Sequence, residues 1–243
     1  MQQIVFLPGL ASNAVMWQHQ LAALPQSAKV SVTAVHTRHL SIGSMAQALL
    51  QEHAGPLVLC GASMGGILAM EVVRQAPERV KGLALLGTNA RPETPDMAQL
   101  REAALKFFEQ GRAKEVLTLN IPMAFHPSRA NDAALTQTYL DFVLAAGPDQ
   151  LVRQNRAIMQ RPDARLHLPQ VTCPTLVMCG DSDLLAPPKC SREIAALVPA
   201  AELVMVAQCG HMLTMERPDE VNQTLLAWLR RCGLIEPAQP SVE

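Results

Sequence analysis

The chain is predicted to fold as a doubly wound α/β domain around a mostly parallel sheet, with an all-helical segment inserted into it. Three observations predict this. Short runs of consecutive apolar residues recur along the 243 residues, segments of helical period separate them, and the alternation lapses once, between about Arg91 and Leu168. Strands that are apolar at successive positions suit a sheet covered on both faces, and strands alternating with helices suit parallel pairing through right-handed crossovers.

The apolar runs are Ile4–Leu7, Val30–Val35, Leu57–Cys60, Gly82–Leu86, Thr175–Cys179 and Leu203–Val206. Between them, Ser44–Glu52 reads as a helix opened by a serine cap, and Met64–Gln75 as a helix that stops ahead of Pro77. The last helix, Pro218–Arg231, begins on proline and ends on two arginines that suit its negative end. Within the lapse, Met97–Glu109, Ala113–Leu119, Asp132–Ala145 and Asp149–Gln160 carry helical spacing, punctuated by prolines. The expected division is a core of residues 1–90 and 169–243 with a helical cap at 91–168. The tail from Glu236 is expected to be loose.

Composition narrows the function classes. Hydrophobic residues make up 49% and charged residues 17%, which is globular. A net charge of −1 offers no field for nucleic acid or an anionic membrane, and no apolar run nears the roughly twenty residues of a membrane span. The start at Ile4-Val5-Phe6-Leu7 lacks the basic region of a signal peptide, so a cytoplasmic protein is expected. Cys60, Cys173, Cys179, Cys190, Cys209 and Cys232 form no CxxC pair and are expected to be free thiols, with no metal.

The chemistry concentrates at Leu57-Val58-Leu59-Cys60-Gly61-Ala62-Ser63-Met64-Gly65-Gly66, a strand, a tight Gly-x-Ser-x-Gly turn and a helix. Such a turn lifts a serine hydroxyl off the sheet edge, and its neighbours must be small for strand and helix to approach. Ser63 is therefore the candidate nucleophile. A serine needs a base to take its proton. His211 stands in a loop after Leu203–Val206 and before the last helix, at the carboxyl end of a strand where ligand-facing residues collect. His19, His36, His39, His53, His126 and His167 have no such context and read as surface or structural. The acid that orients the histidine is sought after Thr175–Cys179, where Asp181 and Asp183 compete and Asp181 suits a turn cap. Backbone donors for an oxyanion are expected from the amides of Met64, after the nucleophile, and Leu10, after the first strand.

With these residues in view the sequence resembles the α/β-hydrolase superfamily over nearly its whole length. The order nucleophile, acid, histidine matches, as does Gly-x-x-Asp with a downstream proline at Gly180–Pro187. Most specific is Gly210-His211-Met212-Leu213-Thr214-Met215-Glu216-Arg217-Pro218, followed by Val221, Leu225 and Trp228. The resemblance implies Asp183 as the acid, a lid at 91–168, and the habit of small bacterial-type esterases and lactone hydrolases, which use no cofactor. It implies a serine hydrolase that cleaves a small apolar carboxylic ester, thioester or lactone through an acyl-enzyme. Two alternatives stand. One is a carbon–carbon hydrolase of dienol-type products, which would need a cation such as Arg153 or Arg156 near the substrate carboxylate. The other is a non-catalytic binder of a small ligand on the same fold. Phe107, Phe108, Phe125 and Phe142, with Met97, Met123 and Met159, lead us to expect an apolar, adaptable pocket roof.

Overall fold

A computed structural model describes residues 2–236. The expected loose tail beyond Glu236 lies outside the described residues. Along the chain come β1 (Gln3–Leu7), α1 (Gln18–Ala23), β2 (Val30–Val32), α2 (Ile42–Glu52), β3 (Leu57–Ala62), α3 (Met64–Gln75), β4 (Val80–Leu86), α4 (Pro95–Glu109), α5 (Ala113–Leu119), α6 (Ile121–Ala124), α7 (Ala133–Ala145), α8 (Gly147–Met159), β5 (Thr175–Gly180), α9 (Pro188–Leu197), β6 (Glu202–Val206), α10 (Leu213–Glu216) and α11 (Pro218–Arg231). The six strands form one sheet in the order β2-β1-β3-β4-β5-β6, and every described pair is parallel.

The consecutive apolar residues of the strands supply two cores, one on each face. Ile4 and Phe6 of β1, Val58 and Cys60 of β3 and Ala84 and Leu86 of β4 face a layer holding Trp17 and Trp228. Their neighbours Val5, Leu7, Leu57, Leu59, Leu83 and Leu85 face α2 and α3. Period-2 alternation within an unbroken apolar run is how a parallel sheet fills both sides. Between β4 and β5 the described chain holds helices and no strand, and the aromatic residues expected there pack together. Tyr139 meets Phe125 and Phe142 edge-on, with ring centroids 5.3 and 5.6 Å apart.

Two local expectations are corrected. The run Val30–Val35 pairs only to Val32, because Thr33 closes an edge strand: its hydroxyl takes the Val35 amide at 3.3 Å and a 3-10 turn follows over Val35–Thr37. The cap of α2 is Ser41, not Ser44. The hydroxyls of Ser41 and Ser44 accept each other's backbone amides at 3.1 and 3.2 Å, a reciprocal box that starts the helix at the buried Ile42. Helix α1 has Gln20 as its one buried residue and so makes no apolar stripe, whereas α9 makes a short one of Cys190, Ile194 and Leu197.

What the sheet does for the site is a matter of strand order. The chain adds β2 to one side of β1, then returns to add β3 on the other. The reversal between β1 and β3 opens a crevice at their carboxyl ends, where Leu7 stands beside Gly61.

Candidate active site

Ser63 alone turns the chain from β3 into α3, at φ 53° and ψ −117°. A residue with a Cβ held there costs on the order of 1–3 kcal/mol and persists only where the surroundings over-determine it. The surroundings here are close backbone. A Cβ on Gly65 would collide with the Leu7 carbonyl, and one on Gly61 with the backbone of Gly65. The Ser63 amide donates to the Leu86 carbonyl at 2.9 Å, and the Thr88 hydroxyl donates to the Ser63 carbonyl at 2.7 Å, so the end of β4 and the loop after it anchor both sides of the turn.

His211 Nε2 lies 3.0 Å from Ser63 Oγ, and His211 Nδ1 lies 2.8 Å from Asp183 Oδ2. A carboxylate only accepts, so Nδ1 carries the proton and Nε2 presents a lone pair to the serine hydroxyl. Burial pushes the His211 imidazolium down, but the charge and hydrogen bond of Asp183, aided by Glu216, outweigh it and hold the histidine above its ordinary value.

The two aspartates divide their labour differently from the turn-cap expectation. Asp183, 1% exposed, both caps its own turn and meets the histidine: Oδ1 accepts the amides of Leu185 and Ala186 at 2.9 and 2.8 Å. Asp181 reaches across to the loop after β6, where it accepts the amides of Gln208 and Cys209 at 3.1 and 3.3 Å. It does not touch the histidine.

The amides of Leu10 and Met64 both border the crevice, and neither has an acceptor among the described residues. The loop holding Leu10 is pinned from α8. Gln154, fully buried, accepts the Ala11 amide at 2.6 Å and donates to the His36 carbonyl at 3.0 Å. His36, read from sequence as surface or structural, is buried and structural: its Nε2 donates to the Ser12 carbonyl at 2.9 Å. Burial is the main reason its pKa is lowered, since it disfavours the charged ring.

The histidine loop is fastened to the helical segment as well. The Ala124 carbonyl at the end of α6 accepts the amides of both His211 and Met212, at 2.9 and 3.1 Å. Buried Glu216 bridges the same junction, with one oxygen 3.0 Å from the Gly210 amide and the other 2.8 Å from the His126 amide. Gln154, His36, Thr88 and Glu216 were not found by sequence reasoning. Each acts through a partner distant in the chain, and no local pattern marks such a contact.

Above the serine is a cavity of about 920 Å³. Met97, Leu100, Phe108, Leu117, Met123, Tyr139 and Val143 give it an apolar wall from the helical segment, while Phe125, Phe142 and Met159 do not line it and pack into the core, and Phe107, also off the wall, lies half-buried under the Arg112 guanidinium. Arg153 and Arg156, considered for a substrate carboxylate, do not line it either. Arg153 donates to the Thr37 carbonyl and Arg156 pairs with Glu109 at the surface. The wall carries Arg91, Arg101 and Arg161 instead. All six cysteines are unpaired, and among the described residues no group of three His, Cys, Asp or Glu side chains could hold a metal. No helix among them is long and apolar enough to cross a membrane.

Comparison with known proteins bears on the family. The model of the alpha/beta hydrolase family matches residues 4–224. RutD of Serratia proteamaculans, provisionally named a carbamate hydrolase, is 26% identical over 93% of this chain and 90% of its own. The pimeloyl-[acyl-carrier protein] methyl ester esterase of Nitrosomonas europaea is 25% identical over 89% of this chain and 91% of its own. Among solved structures, a thermophilic esterase from Thermogutta terrifontis superposes with a TM-score of 0.86 at 25% identity, covering 96% of this chain and 90% of that one.

Proposed function

Since the chain belongs to the α/β-hydrolase family, a family of hydrolases with esterase-like members, we propose that it is a serine hydrolase that cleaves a small carboxylic ester, thioester or lactone through an acyl-enzyme. The observation that carries this reading is the relay of 3.0 and 2.8 Å from Ser63 through His211 to Asp183, set on a turn strained at the serine itself. Residues 91–168 act as its cap.

In this reading His211 Nε2 takes the proton as Ser63 Oγ attacks the substrate carbonyl carbon. The carbonyl oxygen gathers negative charge and is held by the amides of Leu10 and Met64, the latter at the positive end of α3. The intermediate collapses, and the leaving alcohol, thiol or ring oxygen departs with the proton from His211. Water then enters, gives a proton to His211, and releases the acid from Ser63 by the same steps in reverse. The carbon–carbon alternative would have to take its cation from Arg91, Arg101 or Arg161, since Arg153 and Arg156 lie outside the cavity.

A fluorophosphonate probe tests the central claim. Peptide mapping should find one adduct, on Ser63, and none after heat denaturation. An adduct elsewhere, or no adduct on folded protein, would remove Ser63 as the nucleophile.

The pH dependence follows from the raised pKa of His211. A base must be neutral, so kcat/KM should fall as pH drops through an inflection above 6.5. The stability contribution runs the other way. A histidine whose folded pKa exceeds its unfolded one stabilises fully below the unfolded value, and that contribution disappears as pH rises through the folded value. Rate profiles and urea unfolding from about pH 5 to 9 should therefore show opposing trends from this one group. An inflection below 6 would contradict the assigned partnership with Asp183.

A further inference from the structure

The cavity is more cationic than the protein around it. The whole chain carries a net charge of −1, yet four cationic side chains (Arg91, Arg101, Arg161 and Lys189) line the cavity against two carboxylates, Glu93 and Glu193. Lys189 is exposed, so its ammonium is solvated and not fixed, and two of the other three cations are spoken for. Arg91 pairs with Glu193 at 2.8 Å. Arg161, with its side chain 6% exposed, is wrapped by the carbonyls of Arg91 and Ile158 and by both oxygens of Glu93.

Arg101 is different. It shares Glu93 with Arg161, so that one buried carboxylate faces two guanidinium groups. Its Nε donates to Glu93 at 2.7 Å and its Nη1 to Asn155 Oδ1 at 2.7 Å. Asn155 is itself fixed, its Nδ2 donating to the Leu151 carbonyl at 2.8 Å. The guanidinium is thus held from two sides, while its Nη2 has no acceptor among the described residues and about a quarter of the side chain remains open. A fixed guanidinium with spare donors on the wall of a largely apolar cavity is a site for an anion.

We propose that Arg101 is the anion subsite of this cavity, and that the substrate is an ester or lactone bearing a carboxylate remote from the bond that is cleaved. The inference rests on the serine-hydrolase reading. The apolar wall accommodates the chain between the two ends, and the second carboxyl is recognised by charge-assisted hydrogen bonds from a guanidinium still about a quarter exposed. Without an anion, Arg101 leaves its donors unmet beside apolar substrate, which disfavours the neutral analogue.

The test compares monomethyl adipate with methyl hexanoate, matched in length and differing in the terminal carboxylate, on the full chain and on Arg101→Gln. Wild-type kcat/KM should favour the acidic ester. In Arg101→Gln the ratio of the two values should fall by about 10–100-fold, mainly through KM of the acidic ester. Equal losses on both esters would make Arg101 a structural brace and overturn the proposal, as would a wild-type preference for the neutral ester. If Arg101→Gln fails to fold, the wild-type preference is measured against sodium chloride. A ratio that drops as salt rises supports the charged subsite, and one indifferent to salt overturns it. The two readings fail separately. Turnover of methyl hexanoate without any acidic preference defeats the subsite alone. Absence of turnover together with an unreactive Ser63 defeats the hydrolase reading.

Discussion

Ser63→Ala is expected to lower kcat on a carboxylic ester by roughly 10⁴–10⁶-fold while KM moves by no more than a few-fold. The change removes the atom 3.0 Å from His211 Nε2 and leaves the rest of the cavity wall in place. Water must then attack the carbonyl directly, and the residual rate reports what the amides of Leu10 and Met64 contribute alone. Folding stability should change by less than about 1 kcal/mol. Alanine keeps the Cβ and so neither relieves nor adds to the strain at φ 53°. Stopped-flow and steady-state assays on protein free of wild-type enzyme decide the matter. Activity retained above about one per cent would mean that another group is the nucleophile.

Asp183→Asn should cost roughly 10³–10⁴-fold in kcat, and the geometry explains why so small a change does so much. Asp183 Oδ1 accepts two backbone amides, from Leu185 and Ala186. An asparagine keeps its oxygen on those donors, since turning it would leave both amides unpaired. Its NH₂ then faces His211 Nδ1, which must accept. The proton moves to Nε2, and the histidine presents a donor to Ser63 where a base is required. Asp181→Asn makes an informative partner. It removes one acceptor of the Gln208–Cys209 amides at an exposed position, and should cost about 1 kcal/mol of stability and less than tenfold in kcat. A larger kinetic loss at Asp181 than at Asp183 would reverse the assignment. Nitrogen chemical shifts of His211 would show the tautomer change directly.

Strand order, the glutamine behind Ala11 and the arginine in the cavity show where reading the chain stops. Local pattern was enough for Leu57–Gln75, because the period changes from consecutive apolar residues to helical spacing at a turn of glycines, and both signals lie within twenty residues. The same holds for the helices at 113–119 and 218–231, whose bounds match their apolar and proline signals. The reading overran at Val35 because an edge strand needs a partner only on one side, and a threonine hydroxyl could end it. Between Asp181 and Asp183 the residues alone left a choice, since both are turn-forming aspartates in one short loop.

What the sequence by itself determined is therefore the α/β fold class, the turn that lifts Ser63, and the loops after strands that carry Asp183 and His211. These depend on neighbours a few residues apart, where backbone preference and apolar periodicity act. Only the tertiary structure decided which aspartate oxygen meets the histidine, that Gln154 and Glu216 pin the two loops of the site, and that Arg101 lines the cavity while Arg153 and Arg156 do not. The physical reason is the same in each case. A buried polar atom is satisfied by whatever the fold brings within about 3 Å, and that partner can lie more than a hundred residues away, where no local pattern records it.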